Sequence, residues 1–228
     1  MAEQLVLDLA RVEPPTFRNF VAGPNREAVS ALARLAEGAL PEAGVLLWGG
    51  DGVGTTHLLH AVVAAAAPMR PAFLCARPAD VPAEPDRLPA ASLVAIDGVH
   101  LAGADEQGRM FTLFNALAAR GGQWVAAACA PPARLALRDD LRTRLALGLV
   151  FEVLPLADAD KPRALAAYAL ERGFRLGDDV IAYLLAHGRR DMRSLVATLA
   201  ALDRHSLATR RTVTVALLRD WMQRDPRL

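Results

Sequence analysis

Apolar runs of five to seven residues recur along the first two thirds of the chain: VLLWG (Val45–Gly49), PAFLCA (Pro71–Ala76), LVAID (Leu93–Asp97), QWVAAAC (Gln123–Cys129) and VFEVL (Val150–Leu154). Runs with so little polar alternation predict strands covered on both faces, as in a parallel sheet. Between them the spacing changes to that of helices. Asn25 stands where it would cap a helix over Arg26–Ala39, with Val29, Leu32, Leu35 and Ala36 on one stripe. TTHLLHAVVAAAA from Thr55 consists of good helix formers and stops before Pro68 and Pro71. Asp105–Arg120 places Met110, Phe111, Leu113, Phe114 and Leu117 inward and ends at Gly121–Gly122. Prolines 78, 82, 85 and 89 exclude regular structure between Arg77 and Ser92, and short helical pieces fill the stretch from Pro132 to Leu147.

After Pro155 the strand pattern ends, and helical segments follow over Ala159–Arg172, Asp178–His187, Asp191–Ala208 and Thr214–Gln223. The expected fold class is α/β: a five-stranded parallel sheet flanked by helices, followed by a small all-α domain. Pro14 and Pro15 favour an extended segment, so residues 1–20 are expected to be an arm, 21–155 the α/β core and 156–228 the helical domain.

Composition narrows the class. Of the 228 residues 53% are hydrophobic and 5% aromatic, so the core is built from Ala, Leu and Val. The longest apolar run, near Ala61–Met69, is far below the roughly 18–20 residues that span a bilayer. Glu3 and Asp8 stand where a signal peptide would be basic and then apolar. No membrane association and a cytoplasmic location are expected. Cys75 and Cys129 both lie in strand-like runs, which predicts buried, reduced thiols. The net charge of +1 conceals an asymmetry, −3 over residues 1–155 and +4 over 156–228, but the arginines are interleaved with acids. A clustered basic stripe for direct, tight DNA binding is absent. Lys161 is the sole lysine, beside 25 arginines, which excludes lysine chemistry at every other position.

The chemistry-bearing motif follows the first strand. In GGDGVGTT, Gly49 and Gly54 have the G-x-x-x-x-G spacing of a phosphate loop, and the helix starting at Thr55 adds its positive end. Thr55 stands in place of the usual lysine, while the metal-binding hydroxyl is kept as Thr56. Loss of one charge-assisted phosphate contact removes on the order of 1.5–3 kcal/mol. Asp97, closing LVAID, is placed to hold Mg²⁺ with Thr56, but the next residue is Gly98 where a second acid would position attacking water. His100 lies near and is read as structural.

With these segments in view, the chain resembles the AAA+ ATPases, and among them the DnaA-type initiators. TFRNFVAGPNREAV is similar to the entry segment that brings Val21 near adenine; DDLRTRLALGLVFEV (Asp139–Val153) is similar to the arginine-finger segment, and DMRSLVATLAALDR (Asp191–Arg204) to the lid segment that reads phosphates. The resemblance implies an AAA+ phosphate-loop core with a helical lid. It implies ADP or another nucleoside diphosphate, with Mg²⁺, held by Val21, Gly49, Gly50, Gly52, Val53, Gly54, Thr55, Thr56, His57 and the lid's Arg193. It implies Arg144 as an arginine finger acting in trans. Gln4-Leu5-Val6-Leu7-Asp8-Leu9 resembles the Q-L-x-L-x-L/F peptide that docks on the replication sliding clamp, the beta subunit of DNA polymerase III, with Gln4, Leu5, Leu7 and Leu9 in contact. The combination is similar to DnaA-related regulators that act with the DNA-loaded clamp to switch off the DnaA initiator by stimulating hydrolysis of its ATP, so that DNA is met indirectly. It allows a homodimer. Two alternatives stay open: a DnaA-like adaptor, and a helicase-loader-like DNA-dependent ATPase.

Overall fold

The computed structural model describes residues 14–189, 191–209 and 211–224, without the side chains of Glu171, Arg193 and Arg224. They form two compact units, 14–155 and the helical residues after Pro155.

In the first unit five parallel strands, β1 (Gly44–Trp48), β2 (Ala72–Cys75), β3 (Leu93–Ile96), β4 (Gln123–Ala128) and β5 (Leu149–Glu152), lie in the order β2-β3-β4-β1-β5. The expected parallel sheet is therefore present, each strand within about a residue or two of its predicted bounds. Alternate residues of β1 face opposite layers. Leu46 joins a cluster with Val94, Ile96, Met110 and Leu141, while Val45 and Leu47 join one with Leu32, Leu35, Leu58 and Leu59. The helices supplying these layers are α1 (Arg26–Ala36), α2 (Thr55–Ala66), α3 (Ala104–Ala119) and α4 (Asp139–Ala146). Each fully buried Leu contributes roughly 1.5–3 kcal/mol of apolar burial. One position on β1 admits no side chain: a Cβ at Gly44 would lie 2.3 Å from the Trp124 ring.

Three expectations need correction. α1 ends at Ala36 and not at Ala39, because Gly38 takes φ +72°. Its N–H donates to Leu35 O at 3.0 Å and that of Ala39 to Arg34 O at 2.9 Å, the paired bonds of a Schellman stop. Asn25 does not cap α1. A 3-10 turn over Gly23–Asn25 leads into that helix, and the freed carboxamide reaches the end of the sheet. Asn25 Nδ2 donates to Leu154 O at 2.9 Å and Leu154 N–H donates to Asn25 Oδ1 at 2.8 Å, satisfying two backbone groups past β5. Cys129 is exposed, one residue beyond β4, whereas Cys75 is buried; both are free thiols. Burial, reinforced by Asp80, pushes the Cys75 thiol up to about 11.

At the opposite end of the sheet, Arg70 donates to Gln123 Oε1 at 2.9 Å and to Leu35 O at 2.7 Å. Gln123 Nε2 in turn donates to Leu40 O and Glu42 O, both at 2.8 Å. Burial lowers the Arg70 pKa, and this network satisfies loop carbonyls that a covered strand end would otherwise leave unpaired.

The second unit holds α5 (Lys161–Glu171), α6 (Asp178–His187), α7 (Met192–Thr209) and α8 (Val215–Arg224) around Leu165, Ile181, Leu184, Leu199 and Leu218. All four predicted helices are present. α5 and α7 are joined by a buried ion pair, Arg172 Nε to Asp203 Oδ2 at 3.2 Å, with the two side chains 4% and 7% exposed. Arg172 also donates to the Tyr168 hydroxyl at 3.4 Å and lies over its ring. Among the described residues no helix is long and apolar enough to cross a membrane. Asp203→Ala leaves a buried guanidinium with Tyr168 as its remaining side-chain partner among the described residues. A loss of about 3 kcal/mol in unfolding free energy is expected, measured by urea denaturation of the full chain.

Candidate functional site

The turn from β1 into α2 is set by backbone close to neighbouring strands. Gly49 N–H donates to Ala128 O at 3.2 Å, and a Cβ at Gly49 would lie 2.6 Å from Val153 O. Gly52 and Gly54 take φ +76° and +106°, conformations that favour glycine, and Gly54 leads directly into Thr55 at the start of α2. Gly50 has open space where a side chain would stand, and Val53 packs on the core layer beneath. The N-terminus of a 12-residue helix thus faces a glycine-built turn, an arrangement that suits an anion. Residues 49–57 carry Asp51 and no lysine or arginine. An anion at this turn would meet backbone N–H groups and hydroxyls.

Asp97 follows β3 and lies beside the loop helix: Thr56 Oγ1 donates to Asp97 Oδ2 at 2.6 Å. The structure thereby brings together the two residues expected to hold Mg²⁺. Hydroxyl and carboxylate oxygens suit this hard cation. Among the described residues no cluster of three or more His, Cys, Asp or Glu offers a denser metal site. Gly98 takes φ +64°, a left-handed turn in which an acidic residue would be strained, so the backbone itself disfavours a second acid there. His100, in the next turn, has a buried Nδ1 without a hydrogen-bond partner among the described residues.

His57 does not stand alone on α2. Its Nε2 lies 3.0 Å from Thr16 O, and its ring centroid is 5.4 Å from that of Phe20. Burial, the largest effect, and the nearby His60 lower its pKa, while the Thr16 carbonyl opposes them by favouring a proton on the ring. Phe20 covers the phosphate loop: a Cβ at Gly54 would be 2.8 Å from Phe20 Cε2. The preceding residues form a closed turn, Thr16 N–H donating to Asn19 Oδ1 at 2.8 Å and Asn19 N–H to Thr16 Oγ1 at 3.3 Å. Val21, half-buried, continues this segment. The sequence reading missed Thr16, Asn19 and Phe20. The signal available was the three-residue Thr–Asn spacing that such reciprocal turns use.

Arg144 lies in the last turn of α4, half-buried, its guanidinium carbon 5.9 Å from the centre of the Phe111 ring. Phe111, expected in the core, is half-buried and supports this cation instead. The local acids are engaged elsewhere: Asp139 with Arg142 at 2.6 Å and Asp140 with Arg138 at 2.7 Å. Arg193 is the second residue of α7, and its side chain is outside the described structure. Gln4, Leu5, Leu7 and Leu9 lie outside the described residues.

Two family models match the chain: the Hda lid domain over residues 158–222, and the bacterial DnaA ATPase domain over residues 13–73. Among solved structures, domain III of the Thermotoga maritima replication initiation protein DnaA superposes with a TM-score of 0.78 at 22% identity, covering 90% of this chain and 94% of that one. AMPPCP-bound DnaA from Aquifex aeolicus gives a TM-score of 0.70 at 23% identity, over 85% of this chain and 66% of that one. The Thermotoga maritima Holliday junction branch migration motor RuvB gives 0.72 at 15% identity, over 93% and 72%. The fold is thus that of an AAA+ module with a helical lid. The lid and ATPase-domain matches cover two separate segments of the chain, and together with the DnaA domain III fold they support a relation to Hda and DnaA.

Proposed function

We propose that this chain is a negative regulator of chromosomal replication initiation, which binds the DNA-loaded sliding clamp and supplies an arginine in trans to the ATP of a DnaA initiator. The observation that carries this reading is the distribution of charge. The phosphate loop lacks its lysine and Gly98 replaces the second acid, so the chain's own site is poorly equipped for hydrolysis. Of the three arginines at 138, 142 and 144, only Arg144 has no carboxylate partner among the described residues. A guanidinium held on an aromatic face and left without a counter-ion is suited to meet phosphate charge on another protein. In other nucleotide hydrolases such a finger is worth about 10³–10⁵ in rate.

The nucleotide is then a conformational ligand. ADP is held by Val21 and by Gly49, Gly50, Gly52, Val53, Gly54, Thr55, Thr56 and His57. The AMPPCP-bound DnaA of similar fold supports an adenine nucleotide. Thr56 and Asp97 would hold Mg²⁺, which would supply charge neutralisation on the phosphate oxygens. Thr56 and Asp97 orient it, and the backbone N–H groups at the start of α2 take the phosphates. Gln4, Leu5, Leu7 and Leu9 tether the chain to the clamp, which brings Arg144 to the initiator and DNA into the assembly indirectly. The reading places the protein in the cytoplasm and allows a homodimer.

The deciding assay is hydrolysis of DnaA-bound ATP with and without clamp loaded on DNA. Arg144→Ala is expected to fold and bind the clamp normally while losing at least about a thousandfold of the stimulation; full stimulation by this variant removes the finger assignment. Replacing Gln4 and Leu5 together by Ala is expected to abolish co-elution with the clamp on size exclusion and to leave ADP binding unchanged. Unchanged co-elution removes the tether.

A further inference from the structure

The turn Thr16–Phe20 meets the phosphate loop at Gly54 and the first turn of α2 at His57, and is closed on itself at a third point. His57, two residues past Thr55, takes the Thr16 carbonyl; the Phe20 ring rests on Gly54; Thr16 and Asn19 bond each other reciprocally. Gly54 is the residue whose left-handed backbone aims the first N–H groups of α2. In a loop with a lysine, charge can draw the phosphates in even when the backbone is imperfectly set. Here Thr55 offers no charge, so affinity depends on N–H groups already pointing the right way before the ligand arrives.

We propose that Thr16–Phe20 is a strap that presets the phosphate loop, that His57 is the positioning residue fastening it, and that strap closure and nucleotide binding are coupled. This rests on the reading above that the loop binds ADP. An open strap frees Gly54 from Phe20 and lets the loop sample conformations in which its N–H groups diverge. ADP binds the closed form, so it holds the strap shut, and by reciprocity a strap that cannot latch weakens ADP. The hydrogen-bond donor at position 57 is what matters: an Nε2–H donating to the Thr16 carbonyl can be replaced by another N–H of similar reach, not by an apolar group of similar size.

The strap carries its own reporter, because Arg18 is exposed within it and trypsin cleaves after arginine. On the full chain, ADP affinity is measured by titration calorimetry and the rate of tryptic cleavage after Arg18 with and without ADP. In the wild type, ADP is expected to slow that cleavage. His57→Leu is expected to weaken ADP about tenfold and to speed cleavage, without nucleotide, by a similar factor; His57→Gln is expected to recover most of both. Phe20→Ala leaves α2 untouched and is expected to act in the same direction, so the test stands even if His57→Leu fails to fold. A residue that merely contacted the nucleotide would not alter cleavage in its absence. Faster cleavage with undiminished ADP affinity, or no protection by ADP, overturns the coupling alone. Failure of the wild type to bind ADP overturns the ligand reading and the coupling with it.

Discussion

The site hangs on the close approach of the last residue of the first apolar run to its neighbours. Gly49 leaves β1 with its N–H on Ala128 O and with Val153 O against the space where a side chain would stand. That contact is open to glycine alone, and it fixes the point at which the chain turns over the carboxyl ends of the strands, where ligands of open α/β sheets bind. Gly44 does the equivalent at the other end of β1, beneath the Trp124 ring. With β1 located at both ends, β3 brings Asp97 into reach of Thr56, and the loop needs only its own glycines to face outward.

Much of this was legible in the amino-acid sequence, for identifiable reasons. A strand covered on both faces leaves a local signature, a short run without polar alternation, and all five were found in this way. The lid helices announce themselves by period and by their breaks. What escaped depends on partners remote in sequence. Asn25 looks like a cap because the local rule says so, but its carboxamide finds a better partner 129 residues away in Leu154. Phe111 has the spacing of a core residue and becomes the platform for Arg144. Cys129 looked buried because the apolar run continues through it, whereas the ladder ends one residue earlier. Pro14–Pro15 suggested an extended arm as far as residue 20, but Thr16 and Asn19 close a turn on each other, and His57, 41 residues on, meets it at the Thr16 carbonyl.

The abundant arginines sort themselves by burial and partner. Arg172 is an internal tie of the lid, Arg70 a clasp for loop carbonyls, Arg138 and Arg142 are surface pairs worth a few tenths of a kcal/mol each, and Arg144 rests on an aromatic ring. Planar guanidinium groups suit each of these tasks better than ammonium groups would, since stacking and forked hydrogen bonds recur throughout. The frame is that of DnaA domain III, and residues 49–57 at its glycine turn carry no lysine or arginine.

Lys161 gives that composition a further meaning. The one lysine is 10% exposed at its side chain and donates to Asp158 at 2.6 Å. Lysine acylation, which cancels positive charge, therefore finds a single, largely covered side chain to act on. The positive charge of this chain is carried by 25 arginines, whose guanidinium groups stay protonated and lie outside the reach of lysine-directed acyl donors.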